Sequence, residues 1–190
     1  MSLDLSQCSD GELAALARTG RTDIYGEFLV RYKAPVFRLI RSNVIDEDEA
    51  MDLTQETFVA GFAAIARYDG EQPFRPWISR IAINKCRDWA RRRAVRSFFT
   101  RALPLESARD LASDGPAPDV EAGDRAELAR VRAAMAALPH NLREVLVLRG
   151  VEDLSQAETA ALLRISEKTV ETRLYRARAK LRMLLEADGV

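Results

Sequence analysis

At four expected helix starts along the chain, a short oxygen-bearing side chain stands three residues before a glutamate. The pairs are Ser9 and Glu12, Asp46 and Glu49, Asn141 and Glu144, and Ser155 and Glu158. That spacing is a capping box: the first side chain accepts from the backbone three residues on, and the glutamate accepts from the cap's own N–H. Ser166 offers one more cap. Between these starts, apolar residues recur every three to four positions, the period of a helix with one buried face. A chain cut up in this way is expected to be all-α.

The first half reads as a compact helical domain over residues 1–95. A short helix opens at Ser9 and ends by Gly20. A longer one, over about 23–42, buries Phe28, Leu29, Tyr32, Val36 and Ile40, and Pro35 inside it should kink or break it. A third runs from Asp46 to about Arg67 over a core stripe of Leu53, Phe58, Phe62 and Ile65. Its exposed face carries Asp52, Gln55 and Glu56. A Gly- and Pro-containing loop over 68–73 follows.

Next comes the stretch 74–93, read as helical after Pro76. Trp77, Ile78, Ile81, Ala82, Lys85 and Trp89 share one face, and Arg80, Asn84, Arg87 and Arg91 form a stripe on the other. Three guanidinium groups flanking an amide suit a surface that meets phosphates and one base edge. Alone, such a stripe is more often a solvated basic face. Trp77 and Trp89 fit the core better than a wedge between bases.

After Arg93 the helical pattern fades. The run Ser113-Asp114-Gly115-Pro116-Ala117-Pro118-Asp119 has linker composition, so residues 96–125 are expected to be a flexible linker. The second domain is expected over 126–190. Helical period returns with Leu128, Val131, Met135 and Leu138, and Pro139 breaks it. The Asn141 box starts a helix that Gly150 can end. The Ser155 box starts a short helix, Arg164-Ile165-Ser166 forms a tight turn, and a long last helix follows. Short helix, tight turn and long helix make a helix-turn-helix. A recognition helix puts its N-terminal residues at base edges. Lys168, Glu171, Thr172 and Arg176 are then base-contact candidates, and Arg173, Arg178 and Lys180 phosphate-contact candidates.

The formal net charge is zero, but the charges are segregated. Acid dominates from Asp46 to Glu56 and again from Glu106 to Glu127, while residues 75–101 and 173–182 are almost wholly basic. Separate surfaces for separate partners are the natural reading. The acidic linker is also expected to mask the basic faces through Asp110, Asp114, Asp119, Glu121 and Asp124. Cys8 and Cys86 are too few and too far apart for a disulfide framework. With His140 as the single histidine, no metal site and no cofactor are expected. No apolar run is long enough to span a bilayer, so the chain is expected to be cytoplasmic. The acids do not converge with a nucleophile, so an enzyme is not expected.

At this point the residues carry a family resemblance. Leu138-Pro139, Arg143-Glu144-Val145-Leu146, Leu154-Ser155-Gln156-Ala157-Glu158, Ile165-Ser166, Thr169-Val170 and the run from Arg173 to Arg182 resemble the minus-35 reading domain of bacterial sigma factors of the extracytoplasmic-function group. Asp52-Leu53-Thr54-Gln55-Glu56-Thr57-Phe58 is similar to their polymerase-binding helix. Pro73-Phe74-Arg75-Pro76-Trp77-Ile78, Arg80-Ile81-Ala82, Asn84 and the residues from Asp88 to Arg93 resemble their minus-10 reading helix.

The resemblance implies an all-α fold of two small helical domains joined by a flexible linker. It implies docking of Asp52, Gln55 and Glu56 on core RNA polymerase. Promoter DNA would meet Arg80, Asn84, Arg87 and Arg91 at the minus-10 element, with the loop from Tyr68 to Phe74 forming a pocket for one unstacked base. Lys168, Thr169, Glu171, Thr172, Arg173, Arg176 and Arg178 would meet the minus-35 element. Phe98 and Phe99 would lead toward the polymerase RNA channel. Relatives frequently pair with an anti-sigma factor. Two positions depart from the family: Arg164 replaces a frequent glycine of the turn, and Glu171 replaces a frequently basic residue. The competing reading is a two-domain helix-turn-helix regulator that does not join the polymerase.

Overall fold

The computed structural model describes residues 4–102 and 122–187, and the side chains of 4–96 and 126–187. Among these residues there are helices and no strand. The first domain holds α1 (Asp10–Arg18), α2 (Ile24–Arg41), α3 (Glu47–Ala63) and α4 (Phe74–Ala102). The second holds α5 (Ala122–Ala137), α6 (His140–Gly150), α7 (Gln156–Leu163) and α8 (Glu167–Ala187).

Local chemistry explains most helix starts. Ser9 Oγ accepts from the Glu12 N–H at 3.2 Å while Glu12 accepts from the Ser9 N–H at 2.7 Å. The Ser155 and Glu158 pair repeats both bonds at 3.2 and 2.7 Å. Asp46 caps α3 through the Glu49 N–H at 2.8 Å, but Glu49 turns instead toward Arg93, 3.5 Å away. The Asn141 box does not form. Pro139 is the N-cap of α6, without any side-chain cap bond, and its carbonyl accepts from Leu142 and Arg143. The helix therefore starts before Asn141, and Glu144 is free for another task.

Helix α2 runs through Pro35 unbroken. Proline in a helix interior costs about 3 kcal/mol. The buried Phe28 before it and Val36, Leu39 and Ile40 after it tie both halves to the same core, which holds the helix together. That core is aromatic at its centre. Phe28 stacks on Phe74 at 4.2 Å, Tyr68 meets Phe74 edge-on at 5.3 Å, and Trp77 lies 5.3 Å from both Tyr68 and Phe74. Leu29, expected inside, is exposed instead. The α3 stripe is buried at Leu53, Phe58 and Ile65 as expected, but α3 ends at Ala63 and Ile65–Arg67 is a 3-10 turn.

The loop from Tyr68 to Pro73 is pinned to α1. Arg18 donates to the Tyr68 carbonyl, and the Tyr68 hydroxyl donates to the Gln72 carbonyl. Gly11 and Gly70 touch backbone to backbone: a Cβ on Gly11 would sit 2.6 Å from the Gly70 carbonyl oxygen. Helix α4 begins at Phe74 and continues to Ala102, well past Arg93, where the apolar period fades. Its buried face is Ile78, Ser79, Ala82, Ile83 and Cys86, rotated from the expected set, with Trp77, Ile81, Lys85 and Trp89 at the margin. Burial pushes the Cys86 thiol up to about 12, so it stays protonated.

In the second domain, Val145, Val147, Leu148, Leu162, Leu163, Val170 and Ala177 close the helix-turn-helix core. The two domains share one contiguous set of buried residues. Arg143 joins them. Its guanidinium donates to the Met135 carbonyl at 2.8 Å, the Leu138 carbonyl at 2.9 Å and the Ala136 carbonyl, which caps the end of α5. It also donates across the interface to the Asn43 carbonyl at 2.7 Å. The linker residues 103–121, including Asp110, Asp114, Asp119 and Glu121, lie outside the described residues, as do the side chains of Phe98, Phe99 and Asp124.

Candidate nucleic-acid and protein interfaces

Three faces carry the candidate residues, and they differ in what covers them. On α3, Asp52, Gln55 and Glu56 are all exposed on one side. They line a shallow groove with Val59, Ala60, Ala63 and Lys85, which arrives from α4. Lys85 Nζ lies 3.0 Å from Glu56, a solvent-screened pair of little energetic weight. Val59, 69 % exposed, escaped the sequence reading. Its signal was its place one turn beyond Gln55 and Glu56: an apolar residue on an otherwise polar face.

The α4 stripe divides. Asn84 and Arg91 are exposed, and Arg91 pairs with Asp88 one turn back at 2.5 Å. Arg80 and Arg87 are half-buried because the second domain lies on them. Arg80 donates through a terminal nitrogen to the Ala161 carbonyl at 3.1 Å, while its buried Nε finds no acceptor. Arg87 makes a two-pronged bond to Glu144, with Nε and Nη2 each 2.9 Å from a carboxylate oxygen. Arg75 reaches Glu152 at 2.6 Å.

Tyr68 and Phe74, expected in a base-capturing pocket, are 1 % and 0 % exposed. Burial and the proximity of Asp10 and Asp69 push the Tyr68 phenol up to about 12. Both rings belong to the aromatic core, and neither presents a face to a base in this conformation. Trp77 also packs in that core, and Trp89 packs against it with Arg93 over its ring at 5.3 Å.

On α8 the face is open. Ser166 caps the helix through the Thr169 N–H at 3.1 Å, and the two hydroxyls lie 2.8 Å apart, so Thr169 serves the cap. Lys168 and Glu171 are exposed and pair at 3.0 Å. Thr172 is half-buried and bonds back to the Lys168 carbonyl at 2.9 Å. Arg176 and Arg178 are exposed, and Tyr175 stands 76 % exposed between Lys168 and Arg178 along a surface groove. Arg173 is the exception: it lies 3.5 Å from Glu144. The turn before the helix holds Arg164 at φ 56°, ψ 50°, in the left-handed region.

Glu144 is the residue that sequence reasoning assigned wrongly. It is 1 % exposed and sits among Arg87, Arg173 and the His140 ring, whose Nε2 is 3.4 Å away. Burial is the main influence on His140 and holds its pKa below the ordinary value, so the imidazole is neutral near pH 7. Among the described residues no group of His, Cys, Asp and Glu has the arrangement of a metal site. No helix there is long and apolar enough to cross a membrane.

Residues 28–96 match the family model for sigma-70 region 2, and residues 128–181 match that for sigma-70 region 4. The RNA polymerase sigma factor CnrH of Cupriavidus metallidurans is 42 % identical over 95 % of this chain and 96 % of its own. The RNA polymerase sigma factor NccH of Alcaligenes xylosoxydans is 37 % identical over 95 % of this chain and 97 % of its own. The ECF sigma factor SigW of Bacillus subtilis is 29 % identical over 88 % and 92 %. The solved structure of CnrH in complex with the cytosolic domain of CnrY superposes with a TM-score of 0.68 at 36 % identity, covering 95 % of this chain and 99 % of that one. Regions 2 and 4 in order, joined to relatives aligned over nearly their whole length, place this chain in the sigma-70 family of RNA polymerase sigma factors, in its extracytoplasmic-function group.

Proposed function

We propose that the chain binds core RNA polymerase through the α3 face and directs initiation at promoters that it reads with α4 and α8. The observation that carries this reading is the separation of the three faces. Asp52, Gln55 and Glu56 form an exposed acidic side that would repel DNA phosphates and so suits a basic protein surface. Val59 gives that side an apolar centre, as protein interfaces favour. Asn84, exposed between Arg80 and Arg87, is the amide able to pair with a base edge, and the arginines suit backbone phosphates. On α8, Lys168, Glu171, Thr172 and Arg176 face the major groove, with Arg173 and Arg178 at the phosphates and Thr169 fixing the cap.

With Tyr68 and Phe74 buried, base capture falls to the exposed loop residues Asp69, Glu71, Gln72 and Pro73. In this role the chain supplies binding energy and no catalytic group. It acts in the cytoplasm, where polymerase and promoter are. An anti-sigma factor is proposed as a further partner, since CnrH is known in complex with CnrY.

Run-off transcription with core polymerase on a random promoter library tests the whole reading. Selective transcription that depends on the chain, with two conserved promoter elements recovered, is expected. Failure to bind core polymerase would favour the ordinary regulator instead. Asp52→Ala with Glu56→Ala should abolish polymerase binding while leaving the helical content unchanged by circular dichroism.

A further inference from the structure

We infer that Lys168 and Glu171 act as one reader of a single base pair in the minus-35 element. Lys168 donates to O6 and N7 of a guanine, and Glu171 accepts from the amino group of the cytosine paired with it. The inference rests on the assignment of α8 to promoter DNA, and it names the pair that one part of that face selects.

Glu171 is the single acid between Lys168 and Arg182. Against a phosphate its carboxylate would only repel. It is of use on this helix if it meets a hydrogen-bond donor, and the donors of the major groove are the amino groups of cytosine and adenine. Lys168 Nζ lies 3.0 Å from that carboxylate, and the two side chains are 82 % and 59 % exposed. So exposed a pair contributes little energy and opens easily. As a support for the helix it is also the wrong way round. The lysine lies in the first turn of α8, at the positive end of the helix dipole, and the glutamate follows it. Helix stability therefore does not account for the pair.

The neighbours fix where it points. Val170, fully buried, turns α8 so that Lys168 and Glu171 stand outward along a groove shared with Thr172, Tyr175 and Arg178. The Thr172 hydroxyl is committed to the Lys168 carbonyl at 2.9 Å, and Thr169 serves the Ser166 cap. That leaves Lys168 as the donor and Glu171 as the acceptor at this point of the face. Opposite charges one turn apart fit the edge of a G·C pair, where both guanine acceptors lie beside the cytosine amino group. In an A·T pair the adenine amino group lies between two acceptors, adenine N7 and thymine O4. One lysine cannot cover both, and the carboxylate would meet the other.

The test is transcription by polymerase holoenzyme from a promoter library randomised through the minus-35 element and fixed elsewhere. With the wild-type chain, one position should recover G·C over A·T by roughly tenfold. Lys168→Ala and Glu171→Ala should each flatten that same position and leave the preferences at the others unchanged. Glu171→Gln should admit A·T there, because a neutral amide both donates and accepts and so matches adenine.

A wild-type library with no selected G·C pair overturns the reader. So do alanine variants that act at different positions, a Glu171→Ala chain with wild-type preferences, or a Glu171→Gln chain that still rejects A·T as the wild type does. Failure of the wild-type chain to co-elute with core polymerase would instead overturn the sigma-factor reading. In that event the duplexes that the same four chains retain from the library decide the reader, by the same comparisons.

Discussion

On α8 the guanidinium groups of Arg176 and Arg178 stand in solvent, whereas on α4 those of Arg80 and Arg87 lie against the second domain. Both helices pack an apolar face inward and turn cations outward. What separates them is their neighbours: among the described residues nothing is laid over the outer face of α8, and α4 is crossed by α6 and α7. A basic stripe thus indicates which side is available for an anion without indicating which anion holds it. In α4 the anion is Glu144, contributed from 57 residues away.

The largest change to this arrangement should come from Arg143→Ala. That guanidinium serves the last carbonyls of α5 and crosses to Asn43, and removing it strands buried acceptors in both domains. Charge-assisted bonds contribute about 1.5–3 kcal/mol each, and partial relaxation leaves an expected loss of about 3 kcal/mol. Urea unfolding followed by circular dichroism reads it directly. A loss of less than about 1 kcal/mol would mean that water replaces Arg143 easily, and that the interface is looser than its bond pattern indicates.

Next in size is the contrast between the exposed amide and a covered arginine of the same stripe. In polymerase holoenzyme, Asn84→Ala should cost about 1–3 kcal/mol at one base position and little elsewhere. Arg87→Ala should weaken all promoters alike and flatten the salt dependence. Transcription from a promoter library separates the two patterns. Identical profiles would remove direct readout from Asn84.

A smaller effect sharpens the comparison between the helices themselves. For the free chain binding duplex DNA, Arg176→Ala should lower the slope of log affinity against log salt by about one. Arg87→Ala should leave that slope unchanged, because its guanidinium is already neutralised by Glu144. Equal slopes for the two variants would show that DNA opens the chain on its own.

How far the sequence carries depends on the range of the forces. The caps at Ser9 and Ser155 were legible because both partners lie within four residues. The helix-turn-helix was legible for the same reason, and its turn residue Arg164 adopts the left-handed conformation. The exposure of the α3 face was legible because, among the described residues, nothing buries Asp52, Gln55 and Glu56. Glu144 carried the same local signature as Glu12 and Glu158, yet Pro139 started the helix early and Arg87 claimed the carboxylate. Tyr68 and Phe74 were expected at a base-capturing loop, and the rings that bury them, Phe28 of α2 and Trp77 of α4, are brought together only by the fold. The rotated face of α4 has the same origin: two partner surfaces compete for one helix, and periodicity reports neither. Helix α2 survives Pro35 because distant packing outweighs a local penalty.

Arg164→Gly should give the smallest effect and a telling one. A side chain in the left-handed region costs of order 1 kcal/mol, and glycine removes that cost at φ 56°. The gain appears as a rise in melting temperature whose size depends on what melts with the turn. If the second domain unfolds alone, a stabilisation of about 1 kcal/mol shifts a unit of that size by roughly 4–8 °C. If the contacts between the domains make them one cooperative unit, the same energy is spread over a larger unfolding entropy and the shift falls to roughly 2–4 °C. Calorimetry on Arg164→Gly, alone and combined with Glu144→Gln, distinguishes these cases. The shift should grow when the Arg87–Glu144 pair is removed, because α8 then melts without α4. An unchanged shift would place the coupling between the domains in their apolar contacts and not in the arginine stripe.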